Sequence, residues 1–378
     1  MILLHTSDWH LGASERTGSL ANDQQFFIDE ICKIIEKENV NTVLIAGDVY
    51  DRSLASAEAI KLYDYAMTAI CRDLGRQVLI IAGNHDSAER LASCSSLLAR
   101  VGLHVCGALS REPEVVDLGD TEVFLLPWIT EDKVKSVFPE KREIISSLDD
   151  AYRVVTDSFR ERFTEGKRHV VLSHAFITNS ETSTSDRAAE IGFATQVSAS
   201  VFDGFDYVAL GHIHKPQDVN DHIRYSGTPM PYSFGKEEKQ VKSVTLIDTN
   251  DMSHRIVELP LLHKRTTITG TKDELLHPEV PDEVRNGYVH LKVTDDYVGL
   301  SLLSDLRETY PNLIEVEGKS FDSEGSSITL SMDEFERIEN DPMEIFRHFV
   351  REVIQEEPSE HLCELFNKAI EREEEVTA

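Results

Sequence analysis

No apolar run in this chain approaches the ~20 consecutive residues that a membrane-spanning helix needs. From Met1 the sequence passes through Ile2-Leu3-Leu4 straight into polar residues, without the basic segment and long apolar stretch of a secretory signal. A cytoplasmic protein with no membrane association is expected. Cysteine is scarce: Cys32, Cys71, Cys94, Cys106 and Cys363 make an odd number with no C-x-x-C spacing, which argues against a disulfide framework and a zinc knuckle. Basic residues are short too, with 38 Lys and Arg against 68 Asp and Glu and a formal net charge of -30. The bulk surface therefore does not advertise nucleic-acid binding. Cleavage of a nucleic acid stays open, because metal ions neutralise a phosphate and a local basic strip or a partner can supply affinity.

What the 378 residues do contain is 40% apolar and 28% charged side chains, the balance of a folded protein. The length suits two or three domains. Five short Val, Ile and Leu runs, Ile2 to Leu4, Val43 to Ala46, Val78 to Ala82, Val170 to Leu172 and Tyr207 to Leu210, read as buried strands. Between the first three, Phe27, Ile31, Ile34 and Ile35, then Leu62, Ala66 and Ile70, recur at helical spacing. The fold class expected is α/β, a β-sheet core flanked by helices. Asn179 to Arg187 is crowded with Ser and Thr and reads as a mobile loop. Strands follow at Val241 to Ile247 and Ile256 to Leu259, and a polar, proline-bearing stretch from His277 to Asn286 introduces a smaller α+β unit with a strand at Tyr288 to Val293 and a helix at Leu300 to Leu306. The resulting division is a main domain over 1–265, a capping domain over 266–338 and amphipathic helices over 339–378. In the last, Ile345, Phe346, Phe349, Val350 and Val353 form one stripe and Leu362, Leu365, Phe366, Ala369 and Ile370 another, before an acidic tail at Glu371 to Glu375. Such stripes serve either packing on the chain's own body or docking to a partner's helix.

The apolar runs end alike, in small or hydroxyl residues followed by a polar donor: Asp8 and His10; Asp48; Asn84 and His85; His174; His212 and His214. In an α/β sheet ligands bind at the carboxyl ends of strands, so these residues converge on one rim. Asp8-x-His10 and His212-x-His214 have spacing two, which points both outer side chains to one face in extended chain. Any one piece alone is weak evidence, since a lone Asp-x-His or a core histidine is usually structural. Five in order are not explained as accidents. Seven oxygen and nitrogen donors without a thiolate exceed one tetrahedral zinc and suit two six-coordinate ions. Mn(II) is the first expectation, ahead of Fe(II) and Mg(II).

Together, Asp8-x-His10, Gly47-Asp48-x-x-Asp51, Gly83-Asn84-His85-Asp86, His174 and Gly211-His212-x-His214 resemble the signature of the calcineurin-like metallophosphoesterases. Within that family, Ile2 to Gly12, Leu210 to Gln217 and Tyr225 to Phe234 are similar to the nuclease subunits of bacterial nuclease–ATPase complexes. The resemblance implies a layered metallophosphoesterase fold with Asp8, His10 and His214 on one ion, Asn84, His174 and His212 on the other, and Asp48 bridging. It also implies Mn-dependent cleavage of DNA, exonucleolytic on duplex ends and endonucleolytic on single strands and hairpins. A long coiled-coil ATPase is the implied partner, with a homodimer inside a heterotetramer. The segments around Leu62 to Ile70 and Leu91 to Leu98, both read as helical, suit that two-fold contact, and burial inside the monomer explains them equally.

Asp51 stands where archaeal and eukaryotic relatives carry a second histidine. Its expected role is to accept a hydrogen bond from His85 and fix that ring's tautomer. His85, beside Asn84 but outside the expected ligand set, is the candidate proton donor to the leaving oxygen. Arg52, Arg90 and Lys215 follow motif residues closely and suit either phosphate contacts or surface salt bridges. Two rival functions use the same residues: a phosphatase or small-molecule phosphodiesterase, since the cage does not choose the leaving group, and a non-catalytic scaffold.

Overall fold

The computed structural model describes residues 1–15, 18–183, 185–186, 196–319, 327–331, 341–354 and 357–377. The chain falls into two compact units, Met1–Ala13 with Ser19–Leu262, and Ser14–Gly18 with His263–Ala378. In the first, short aliphatic runs bounded by Gly, Asp and Asn build two six-stranded sheets. In chain order their strands are β1 (Ile2–Thr6), β2 (Thr42–Ile45), β3 (Gln77–Ile81), β4 (Leu103–Cys106), β5 (Glu114–Asp117), β6 (Thr121–Leu126), β7 (Arg168–His174), β8 (Tyr207–Gly211), β9 (Gln217–Asp218), β10 (Ile223–Tyr225), β11 (Ser243–Asp248) and β12 (His254–Glu258). One sheet runs β12-β11-β1-β2-β3-β4 and the other β9-β10-β8-β7-β6-β5. β1 to β4 are mutually parallel, as are β6, β7, β8 and β10. Parallel neighbours need crossovers, and α1 (Ala21–Lys37), α2 (Ala57–Met67) and α3 (Leu148–Arg160) provide them. Ser56 caps α2 by accepting from the Ala59 amide, and Ser147 caps α3 through the Asp150 amide.

Side chains alternate across each strand, which explains the layering. Leu3, Leu44, Leu79, Val123, Leu125, Val170 and Leu172 pack in one cluster drawn from both sheets. Val171, Val208 and Leu210 point the other way and meet Tyr152, Val155 and Phe159 of α3. On the far side of the first sheet Val43, Ile45, Val78 and Ile80 are fully buried, as are Ile28, Ile31 and Ile35 of α1. A sandwich of sheets between helices is thus the α/β layering expected, with β6 and α3 as further elements.

Two local readings change. The segment Leu91 to Leu98 is not one helix: it breaks into Ala88–Leu91 and Ser95–Leu98 around Cys94, whose φ of 61° is incompatible with a continuing helix. The described part of the Ser/Thr-rich stretch is anchored, because the Asp186 carboxylate accepts from the amides of Ser183 and His214. Thr184 and Arg187 lie outside the described residues.

The second unit holds a four-stranded sheet, β13 (Arg265–Gly270), β14 (Tyr288–Tyr297), β15 (Leu313–Lys319) and β16 (Ser327–Ser331), in that order. The first three are parallel and the last antiparallel. α4 (Leu300–Thr309) buries Leu302, Leu303 and Leu306 against Val289, Leu291 and Val316. α5 (Pro342–Ile354) and α6 (Glu360–Thr377) follow, with Phe346 and Phe366 stacked at 4.1 Å. Ile345 and Leu365 stay exposed, whereas the side chains of Phe349, Val353, Ala369 and Ile370 lie outside the described residues. The stretch from Glu371 to Glu375, expected as a tail, is the last part of α6. Among the described residues no helix is long and apolar enough to cross a membrane.

At the carboxyl rim of the first unit two turns nearly touch: a Cβ on Gly211 would lie 1.9 Å from the Ala46 carbonyl oxygen and 2.9 Å from His174 Nδ1. Gly211→Ala is therefore expected to destabilise the protein by about 1–3 kcal/mol, the usual cost of overpacking. Urea denaturation measures it, and an unchanged midpoint would show that the rims are free to part.

Candidate metal centre

Asp8 follows β1, Asp48 follows β2, Asn84 follows β3, His174 closes β7 and His212 follows β8. With His10 and His214 they meet at one rim, every one except Asn84 buried. The backbone there is forced. Asp8, His10, Asp48 and His212 have φ of 53°, 44°, 49° and 102°, a region that costs non-glycine residues about 1–3 kcal/mol each. Main-chain bonds hold them in it: Asp8 N donates to the Gly47 carbonyl and His10 N to that of Asp48, each at 3.0 Å. Buried Gln24 clamps the same loop, donating to the His10 carbonyl at 2.7 Å and accepting from Gly12 N at 2.9 Å.

Asp8, His10 and His214 offer ligand atoms within 4.8 Å of one another, and so do Asp8, Asp48 and His174. Asp48 Oδ2 stands between the groups, 3.4 Å from His174 Nε2 and 3.9 Å from His10 Nε2. Asn84 Oδ1 lies 2.8 Å from His174 Nε2 and 3.0 Å from His212 Nδ1, while His10 Nε2 faces His214 Nε2 at 3.1 Å. The tautomer of His174 follows from its partner. Its Nδ1 is 2.7 Å from the Ala46 carbonyl oxygen, which only accepts, so Nδ1 keeps its proton and Nε2 is the nitrogen whose lone pair is available to a cation. That nitrogen points at the oxygens of Asn84 and Asp48. In the metal-free chain a proton on Nε2 bridges these oxygens, since, against burial, the neighbouring carboxylates raise the ring to about 9. A divalent ion would take that proton's place, and nitrogen and oxygen donors of this kind suit divalent metals. The residues fit a metal cage.

A family model described as calcineurin-like phosphoesterase matches residues 1–216. The chain belongs to the calcineurin-like phosphoesterase family. It is a metal-dependent phosphoesterase with that family's α/β fold. A second model, described as the Type 5 capsule protein repressor C-terminal domain, matches residues 264–353. The SbcD component of the nuclease SbcCD from Staphylococcus epidermidis is 29% identical over 326 residues, 85% of this chain and 86% of that protein. Among solved structures, an archaeal phosphodiesterase is 16% identical, covering 68% of this chain and 100% of that one with a TM-score of 0.33. A dimetal phosphatase from Danio rerio is 11% identical, covering 65% and 92% with a TM-score of 0.39.

The electrostatics of the phosphoesterase cage are those of a site built around positive charge. Burial lowers the imidazoles of His10, His212 and His214 to about 3, so all three are neutral and hold lone pairs at physiological pH. Burial likewise pushes Asp8 up to about 8. His174 is pulled down by burial, but the carboxylates of Asp48 and Asp8 outweigh that and raise it to about 9. Burial would raise Asp48 as well, yet His174 beside it holds that carboxyl well below its usual range.

Around the seven donors the expected auxiliaries separate. His85 Nδ1 is 2.8 Å from the Asp51 main-chain carbonyl, so the acceptor is backbone and the expected carboxylate–imidazole pair is replaced by it. The Asp51 carboxylate instead lies 3.8 Å from His10 Nδ1, a buried nitrogen without a hydrogen-bond partner. His85 Nε2 faces the cage, 3.9 Å from Asp48 Oδ2. Arg52 is exposed and beside Asp51, Arg90 donates to the Ser53 carbonyl at 2.9 Å, and Lys215 pairs with Glu181. Two further contributors have no role expected from the sequence. Trp128 stacks on His212 with ring centroids 5.2 Å apart, walling the cage. Asp86 accepts from the amides of Val49, Tyr50 and Gly83 at 2.9 to 3.1 Å, locking the turns after β2 and β3 together; its place in the Gly83-Asn84-His85-Asp86 motif is the one clue to it.

Both Asp8 and His174 have folded-state values raised above the ordinary 3.8 and 6.5, and such groups contribute stability at low pH that is lost as pH rises through the folded value. Asp48, held low, acts only in acid. Thermal melts in a chelator should therefore fall between about pH 7 and 9. Excess Mn(II) should abolish that fall and add about 2.7 kcal/mol per site at a hundredfold excess over Kd. Melts indifferent to both pH and metal would mean that no cation belongs there.

Proposed function

We propose that this phosphoesterase is a Mn(II)-dependent DNA nuclease that hydrolyses phosphodiester bonds with two metal ions and works beside an SbcC-type coiled-coil ATPase. The observation that carries the two-metal part is the convergence of ligand atoms in groups that overlap, one of Asp8, His10 and His214 and one of Asp8, Asp48 and His174, with Asp48 Oδ2 near both and His10, Asp51 and His85 as a third cluster beside them. Asp8, His10 and His214 would hold one ion and Asn84, His174 and His212 the other, with Asp48 available to both. Similarity to the S. epidermidis nuclease along 85% of the chain supports DNA as substrate and the ATPase as partner. Residues 339–378 are assigned to docking that partner, with Ile345 and Leu365 exposed on α5 and α6. Of the segments expected at a two-fold contact, Leu62, Ala66 and Ile70 are buried within the chain itself, whereas Leu97 is exposed and open to a second copy.

Divalent ions held there would, when bound, supply an activated water at neutral pH and neutralise charge building on a phosphate. The chain's own residues do the remainder. The Ala46 carbonyl holds the His174 ring in its ligating tautomer, and Trp128 covers one side of His212. His85, with Nδ1 committed to the Asp51 carbonyl, turns Nε2 to the cage, where a proton on it serves the departing sugar oxygen. Lys215, Arg52 and Arg90 stand near the rim for phosphates that displace their present acidic and carbonyl partners.

His85→Ala is expected to keep both metals and lose turnover by about 10²–10⁴-fold, the usual worth of general-acid catalysis; loss of metal on titration would make His85 a ligand instead. Asp51→Asn leaves the carbonyl acceptor in place, so the alkaline and acid limbs of the pH–rate profile should not move. A shifted limb would return the Asp51 side chain to the role of orienting His85. With Mn(II), end-labelled duplex DNA should be degraded faster than a nitrophenyl phosphomonoester is hydrolysed. The reverse preference would make the chain a phosphatase.

A further inference from the structure

Outside every motif lies an ion pair with no exposure on either side chain, Lys242 Nζ to Glu237 Oε1 at 2.7 Å. Burying two charges is costly and does little for stability on its own, so what the pair holds is informative. Lys242 Nζ also donates to Thr228 Oγ1 at 2.7 Å and to the His214 carbonyl at 3.3 Å. Glu237 Oε2 accepts from Ser233 N at 2.9 Å, Ser233 Oγ at 2.7 Å and Ser185 Oγ at 2.8 Å. Ser185 Oγ is in turn 2.6 Å from His214 Nδ1.

Donor counting fixes the direction of this relay. With Lys242 against it, Glu237 is a carboxylate and can only accept, so the single hydroxyl hydrogen of Ser185 is spent on Glu237. Ser185 Oγ must then accept from His214, which places the proton on Nδ1 and the lone pair on Nε2. That nitrogen is the one facing His10 Nε2 at 3.1 Å inside the cage. Asp186 does not substitute for Ser185: its carboxylate is 3.7 Å from Nδ1 and is engaged by the His214 amide at 3.1 Å.

We propose that Ser185, braced by the Glu237–Lys242 pair, is a positioning residue that fixes His214 as an Nε2 ligand of a divalent ion. The inference rests on the two-metal reading above and adds residues from three segments that no spacing joins to the cage. Partners of this kind orient the ring and raise its basicity, and their loss typically weakens metal affinity 10–100-fold.

Isothermal titration of Mn(II) into the metal-free full chain tests it. Ser185→Ala removes one hydroxyl and leaves the ion pair whole, so its melting in chelator should match the unmodified protein. One of the two Mn(II) sites should weaken about 10–100-fold while the other keeps its affinity. Ser185→Thr, which restores a hydroxyl, should recover most of the loss, a rescue that a merely structural contact does not give. Ser185→Ala titrating like the unmodified chain would overturn this inference alone. Failure of the unmodified chain to take up Mn(II) would overturn both this inference and the two-metal reading.

Discussion

The centre depends on one hydrogen bond between sheets, from His174 Nδ1 to the Ala46 carbonyl at 2.7 Å. Ala46 follows a strand of one sheet and His174 ends a strand of the other, so this contact draws two separate rims into a single pocket. It also decides which nitrogen of His174 looks inward. The close approach requires glycine on the neighbouring strand at Gly211, and again at Gly83, where a Cβ would lie 2.1 Å from Asp48 Oδ1. Geometry and protonation are thus set by the same few atoms, before any metal arrives.

The charge pattern follows from that pocket. A chain with a formal net charge of -30 is poorly suited to attract a polyanion by its general field. The cage, however, contains two carboxylates and imidazoles that burial keeps neutral. Were two divalent ions bound there, their charge would exceed that of the two carboxylates, and the loaded pocket would be locally positive within an acidic surface. Charge of this kind depends on the metal and vanishes with it, unlike a surface strip of lysines.

Much of this is readable in the sequence because parallel strands deliver their chemistry at a fixed place. Each apolar run announces its own end, and Asp8, Asp48, Asn84, His174 and His212 stand there. The helix at Leu148, Tyr152, Val155 and Phe159 bears the same kind of mark, since those residues recur with a helical period. Ser185, Glu237 and Lys242 bear none, because common residues in irregular chain carry no period and act only through three-dimensional contacts. Asp51 marks a further limit: it does neighbour His85, as its place in the motif suggests, but through its backbone oxygen, which no side-chain identity encodes.

The Asp8 carboxylate accepts from the His212 amide across 204 positions of sequence. Closing so long a loop is entropically expensive and slow relative to local contacts. During synthesis the amino-terminal donors leave the ribosome well before the histidines that complete the cage. A half-made chain therefore has carboxylates and no enclosed pocket, and the cage is complete only when both sheets have been translated and joined.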